Sequence, residues 1–318
     1  MMNTDKIKIG VSACLLGEQV RFDGGHKQDA YINGTLSQYF QFVPVCPEVA
    51  IGLGTPREPI RLVGDPANPR AVGVRSPQLD VTEKLQAYGR RMGRELLDLS
   101  GYILKRASPS CGMERVKVYT PNGVPIGKSA NGIYARVFME MHPLLPVEEE
   151  GRLGDPVLRE NFIQRIFVYH RWQALVASDL TPAKLVWFHA RHKLILMAHS
   201  QTAAKKLGQL VARAGAEPMG DIAPIYIDAL MNTLKRRAGR KQHANVLMHL
   251  MGFLKRVLDT GDKAELVEAV DAYRLGHVPL IVPITLLQHH FRRHPEPYVQ
   301  EQHYLEPHPK ELMLRNLL

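Results

Sequence analysis

DVTEKLQAYGRRMGRELLDLSGYILKRASPSCG, Asp80 to Gly112, decides how the first half of this chain folds. Val81, Leu85, Tyr88, Met92, Leu96 and Leu97 share one broad face at helical period, which predicts a helix over 80–99 capped by Asp80 or Thr82. Gly101 can supply a left-handed stop. The apolar run Tyr102 to Lys105 then reads as a strand, and its outgoing loop, Arg106 to Gly112, places Cys111 among serines and a glycine. Strands alternating with helices favour a parallel sheet, and in such sheets sites form beyond the carboxyl ends of the strands.

The same grammar extends in both directions. Ile7, Ile9 and Val11 begin a strand that ends at Cys14, and Tyr39 to Val45 is another that ends at Cys46. All three cysteines of the chain therefore follow a strand exit. Arg115 to Tyr119 and the turn Pro121-Asn122-Gly123 read as a hairpin or a strand with a return, and a helix is expected over Gly132 to Met141. Leu144 to Asp155 shifts to proline, glycine and acid and closes the first core. Beyond it the pattern is helical: Pro156 to Val176, Thr181 to His199 with Thr181 as cap and Pro182 at the first position, then Thr202 to Ala214, Ile225 to Ala238, Gln242 to Asp259 and Lys263 to Tyr273. The tail after Gly276, rich in proline and histidine, is expected to wrap the surface. The expected architecture is an α/β N-terminal domain over 1–160, three-layered with a mostly parallel sheet, and an all-α C-terminal domain over 161–318.

At 318 residues, 45% apolar and 23% charged, the chain has the make-up of a globular protein with room for two domains. It has no run of about 18 apolar residues that could span a membrane. The N-terminal MMNTDKIKIG has no apolar stretch of the kind a secretory signal needs. Three cysteines do not make a disulfide framework and point to a reducing, cytoplasmic setting. Charge is uneven: residues 1–150 carry 18 Lys/Arg against 16 Asp/Glu, and residues 151–318 carry 23 against 15. A second half at net +8, with twelve of the 14 histidines adding charge on acidification, suits a polyanion such as nucleic acid, or a solvated basic surface.

Each cysteine alone reads as a small buried hydrophobe. A nucleophilic cysteine needs a partner histidine, but His26 and His142 are the only two in the first half and neither sits beside one. Structural zinc wants four ligands and close C-x-x-C pairs, which are absent. Three separated thiolates suit a 4Fe–4S cluster with one iron open to substrate, since full ligation takes four. Spacing alone does not choose among these.

SACLLG with VRFDGG (Ser12 to Gly17, Val20 to Gly25), VCPEVAIGLGTPR (Val45 to Arg57) and SPSCG (Ser108 to Gly112) resemble the motifs of the TudS-type thiouracil desulfidases, over roughly residues 6–155. ANVLMHLMGFLK (Ala244 to Lys255) and PLIVPITLLQHH (Pro279 to His290) are similar to the helical domain of YbgA-like proteins, and the whole arrangement resembles the fused desulfidases that act on 4-thiouridine in tRNA. The resemblance implies that Cys14, Cys46 and Cys111 ligate a 4Fe–4S cluster whose open iron takes the thiocarbonyl sulfur. It implies catalytic roles for Glu48, as base or proton shuttle, and for Ser108; Ser110, across Pro109, could serve in place of Ser108 by its position. The products would be uridine and hydrosulfide. Two other functions fit: a desulfidase of free thiouracil or thionucleosides with the helical half as scaffold, and a non-catalytic RNA-binding redox sensor.

In the helical half, KRRAGRK makes Lys235, Arg236, Arg237, Arg240 and Lys241 the candidate RNA contacts, at a helix end where cations also suit the dipole. His189, His192 and His199 resemble a metal comb without a completing acid or cysteine and read as packing or RNA-facing histidines. Trp172, Trp187 and Phe188 read as core.

Overall fold

The computed structural model describes residues 6–318, which form two compact units divided between Gly154 and Asp155. The stretch read above for a leader lies partly outside the described residues, at positions 1–5.

The first unit contains β1 (Ile7–Ser12), β2 (Phe40–Val45), the short α1 (Pro47–Ala50), β3 (Ile60–Val63), β4 (Arg70–Gly73), α2 (Thr82–Glu95), β5 (Gly101–Leu104), β6 (Val116–Tyr119), β7 (Pro125–Ala130), α3 (Ile133–Met141) and β8 (Val147–Glu149). Strands β2, β1, β5 and β8, in that order, form an all-parallel sheet, as the α/β reading requires. Ser12 pairs with Val45 and Val11 with Ile103, so β1, β2 and β5 end along one edge. Parallel strands share a direction, and this brings their three exit loops together.

A second sheet, ordered β4-β3-β6-β7, is mixed: β3 and β6 are parallel, and the outer pairs are antiparallel. The hairpin through Pro121-Asn122-Gly123 is its β6–β7 edge. Strands β3 and β4, four residues each, have no counterpart in the sequence reading.

The helix expected over 80–99 stops at Glu95, and Gly101 opens β5 rather than closing the helix. The reason lies in the sheet. The Ser100 N–H already donates to the Lys8 carbonyl at 2.9 Å, so the chain must leave the helix earlier to reach β1. Helix α2 packs against α3 through Gly93, where a Cβ would stand 2.5 Å from the Met141 sulfur.

The second unit is helical: α4 (Pro156–Ala177), α5 (Pro182–His199), α6 (Gln201–Val211), α7 (Met219–Leu234), α8 (Arg240–Leu254), α9 (Thr260–Leu275), α10 (Ile281–Arg293) and α11 (Pro297–Gln300). Side chains cap where the sequence offers them: Asp155 accepts from Val157 and Leu158 N–H, Thr181 from Lys184, Ser200 from Ala203 and Asp259 from Asp262. Helix α7 begins six residues before Ile225 and carries Pro224 inside it.

The tail after Gly276 is not a surface wrap. Helix α10 buries Ile284, Leu287 and Phe291, and Tyr304, Leu312 and Leu314 are buried beyond it. Pro283 sits in the first turn of α10, where a missing N–H costs nothing, so the proline content there marks a helix start. Trp172 is core, edge-on to Phe188, but Trp187 is 47% exposed under the Arg191 guanidinium, 3.8 Å from its ring centre, and so is not core.

Candidate functional site

Cys14 lies on a single 3₁₀ turn (Ala13–Leu16) directly after β1, and Cys46 is the N-cap of α1 directly after β2. Cys111 ends a longer loop after β5. Its backbone is held by Ser108, whose Oγ accepts from the N–H groups of Ser110 (3.3 Å) and Cys111 (3.1 Å). Ala107 is in the left-handed region at φ 59°, a strained setting for a residue with a Cβ, and it turns the chain into this loop.

The loop is docked on the start of α3. Gly132, Ile133 and Ala135 N–H donate to the carbonyls of Gly112, Pro109 and Ser110 at 2.8, 3.0 and 3.0 Å. These are donors that a helix start leaves without intrahelical partners, and the cysteine loop satisfies them. The approach is so close that a Cβ on Gly132 would stand 2.6 Å from the Ser110 carbonyl.

The three cysteines line one cavity of about 350 Å³, together with Glu48, Arg57, Lys105, Ser108 and Ser110; Arg21, Phe22 and Lys27 also line it. That volume is in the range of about 300–1,000 Å³ usual for small-molecule sites. Sequence separations of 32 and 65 residues are thus closed by the sheet edge.

Glu48 is held on both oxygens. Oε1 accepts from the Ser110 hydroxyl at 2.6 Å, and Oε2 accepts from Arg57 Nε and Nη2 at 3.0 and 2.8 Å. Arg57 also donates to the Val20 and Gly54 carbonyls at 2.9 and 2.8 Å, so its fork is fixed on three sides. Ser108 and Ser110 hydroxyls lie 3.0 Å apart. Because Ser110 spends its proton on Glu48, it must accept from Ser108. The result is one directed chain, Ser108 to Ser110 to Glu48, backed by Arg57. Ser108 and Glu48 are therefore joined through Ser110, and Arg57 is the site residue the sequence reading missed. Its position at the end of the VCPEVAIGLGTPR motif was the available signal.

All three cysteines are free thiols. Burial first, and then the Cys46 charge, push the Cys14 thiol up to about 11. Burial raises Cys46 too, and burial with the charges of Cys46 and Glu48 raises Cys111. Thiols in this setting become thiolates only against a strong local cation, which is what a metal or cluster provides. Among the described residues, no three His, Cys, Asp or Glu side chains converge closely enough for a single metal ion. A cluster asks for less convergence, because each cysteine binds a different iron. Three thiolates around one cavity, free of disulfides, fit that group.

Of the basic run, Lys235 to Arg237 follow α7, whereas Arg240 and Lys241 open α8, where the dipole disfavours cations. The expected benefit from the dipole thus holds for only part of it. Arg240 donates to the Tyr273 carbonyl at 3.0 Å and lies over its ring. Lys235 donates to Asn232 at 2.9 Å. His192 is buried against Phe188, with ring centres 4.0 Å apart, and His199 bonds Gln164 and the Arg236 carbonyl, as packing groups do.

A family model described as 2-thiouracil desulfurase matches residues 9–150, and one described as a protein of unknown function, DUF1722, matches residues 193–309. The chain is 32% identical over 153 residues to the uncharacterized protein YbgA of Escherichia coli (strain K12), covering 48% of this chain and 90% of YbgA. It is 34% identical over 133 residues to the uncharacterized protein YbbK of Bacillus subtilis (strain 168), covering 38% of this chain and 82% of YbbK. Among solved structures, the 4Fe–4S-dependent thiouracil desulfidase TudS is 32% identical, with 47% of this chain and 95% of that one covered and a TM-score of 0.36. By the extent and identity of these matches, the chain belongs to the 2-thiouracil desulfurase family and carries a YbgA-like helical domain fused to that module.

Proposed function

We propose that this protein is an iron–sulfur-dependent desulfidase of thiolated uracil, acting on 4-thiouridine in tRNA and releasing hydrosulfide. The observation that carries this reading is the single cavity on which Cys14, Cys46, Cys111, Glu48, Ser108 and Ser110 meet. Cys14, Cys46 and Cys111 would hold the cluster. When bound, it supplies a Lewis-acidic iron with an affinity for sulfur.

The chain's own groups manage the protons. Desulfuration exchanges the thiocarbonyl sulfur for a water oxygen, so the water must lose protons and the departing sulfur must gain one; no electrons are transferred. Glu48 is the base for that water, reached directly or through Ser110 and Ser108. The Arg57 fork keeps the carboxylate aimed at the cavity and loads Oε2, which leaves Oε1 as the proton-handling atom. Lys105, paired with Glu150 and on the cavity wall, fixes the exit of β5 beside it. The net +8 of the second half suits the polyanionic substrate.

A second reading, free thiouracil or a thionucleoside as substrate, is favoured by one observation: YbbK matches 38% of this chain over 82% of its own length, so the catalytic module also occurs without a helical partner domain.

Anaerobic reconstitution is the test. The expected product is a brown protein with about four irons per chain that discharges sulfide from thiolated tRNA as the thiocarbonyl absorbance disappears. A fully loaded protein that releases no sulfide from tRNA, nucleoside or thiouracil would overturn the enzymatic reading. Turnover of the small substrates alone would select the second.

A further inference from the structure

We propose that a groove on the helical unit, walled by one face each of α5, α6 and α8, holds an unpaired RNA strand, with phosphates at Lys193 and Lys205 and a base stacked on Phe253. The proposal rests on the tRNA reading above and assigns its binding site. The groove encloses about 1000 Å³. Ala204 and Gly208, one turn apart on α6, give it a shallow floor, and Lys205 of the same helix lines it beside them.

Two features select the occupant. Lys193 and Lys205 line the groove with no aspartate or glutamate in its lining, and neither is ion-paired among the described residues. The groove thus has uncompensated positive charge. Phe253 is 37% exposed and stacks on Tyr298 at 5.5 Å and 27°, with the His249 ring edge-on to it at 5.6 Å. An aromatic ring propped by two others and left accessible is a stacking platform for a base, which a duplex would keep to itself. His189 also lines the groove, but it is buried, with Nε2 toward Gly208 and Nδ1 engaged with the Tyr226 hydroxyl at 3.3 Å, so it serves as wall rather than as a contact. The Lys235 to Lys241 run has no such platform, and two of its side chains already serve the fold.

The test is fluorescence anisotropy of the full chain with a fluorescein-labelled oligouridylate of about twelve nucleotides, within the span of known single-strand sites. Lys193→Glu with Lys205→Glu should weaken binding at least about tenfold and lower the slope of log affinity against log salt by about 1.4, two phosphates' worth. Phe253→Ala should weaken binding about fivefold or more with the slope unchanged, a signature that loss of folding would not give. Equal binding by wild type and both variants overturns the proposal, as does wild-type binding to duplex RNA alone. Sulfide release from free 4-thiouridine separates the two readings. If wild type binds the oligouridylate but desulfurates nothing, the enzymatic reading fails and the groove stands. If the variants keep the wild-type KM for thiolated tRNA, the groove fails and the enzyme stands.

Discussion

Glu48 is the residue whose surroundings say most about the chemistry. Both of its oxygens are occupied by donors, yet it lines a cavity beside three thiols. Glu48→Gln keeps the shape and removes the base, so kcat should fall by about 10²–10⁴ while iron content and visible spectrum match wild type. Undiminished turnover would remove Glu48 from the mechanism. Ser110→Ala cuts the path from Ser108 and takes from Oε1 the hydroxyl that relays protons to it. Because water can reach the partly buried carboxylate from the cavity, the expected turnover loss is about ten- to hundredfold, at or below the low end of that for removing the base itself. If Ser110 were only a turn residue, Ser108→Ala and Ser110→Ala would differ sharply, with Ser110→Ala near wild type. Two serines flanking Pro109 were legible in the sequence, but their order in a hydrogen-bond chain was not. That order depends on Glu48, 62 residues away. Arg57 was hidden for the same reason: its fork meets Glu48 only because the segment between them folds back.

At the scale of elements, the strand exits of β1, β2 and β5 were legible because two apolar runs lead directly to a cysteine and the third leads to one through a short loop of small residues. Of the second sheet only the β6–β7 hairpin was legible, from its Pro-Asn-Gly turn; β3 and β4 were not. Nor was α10, where Pro279 and Pro283 looked like loop composition although Pro283 is spent in a first turn. What fixes the Cys111 loop is also outside any local pattern: the N–H groups at the start of α3 hold its carbonyls, and Gly132 permits the contact. Gly132→Ala is allowed by the backbone, at φ −61° and ψ 144°, so its effect must come from the collision with Ser110 and Gly112. The expected cost is about 1–3 kcal/mol from overpacking, with a displaced loop that takes up less iron on reconstitution. A variant that loads iron and turns over like wild type would show that the loop tolerates the displacement.

For the whole molecule, the histidines carry an argument opposite to the one composition suggests. Twelve of the 14 fall after residue 150, and exposed histidines would add charge on acidification. In the folded helical unit many are buried instead. Burial lowers His243 to about 3, burial and Lys193 lower His189 to about 4, and burial with Arg171 and Arg191 lowers His303 to about 3, all from 6.5. His243 is spent on the Tyr304 hydroxyl at 2.9 Å rather than on solvent. A group with a depressed folded pKa stabilises fully above its unfolded value and loses that contribution as pH falls. The window here opens at 6.5 and runs toward 3–4. Within it the unfolded chain binds more protons, and each one lowers stability by about 1.4 kcal/mol per pH unit. Glu160 adds no pH dependence in this window: burial raises its carboxyl, but His308 and Arg315 outweigh this and leave it at about 2, so the stability it contributes is full above 4.5 and is lost only below that. The helical signal in far-UV circular dichroism should therefore melt several degrees lower at pH 5.5 than at pH 7.5, roughly as expected for a few kcal/mol in a domain of this size. His243→Gln, which cannot take up the proton, should flatten that dependence by up to one proton. A melting point that holds or rises on acidification would mean that these rings are protonated in the native state, and the second half would then carry the charge that its composition suggests.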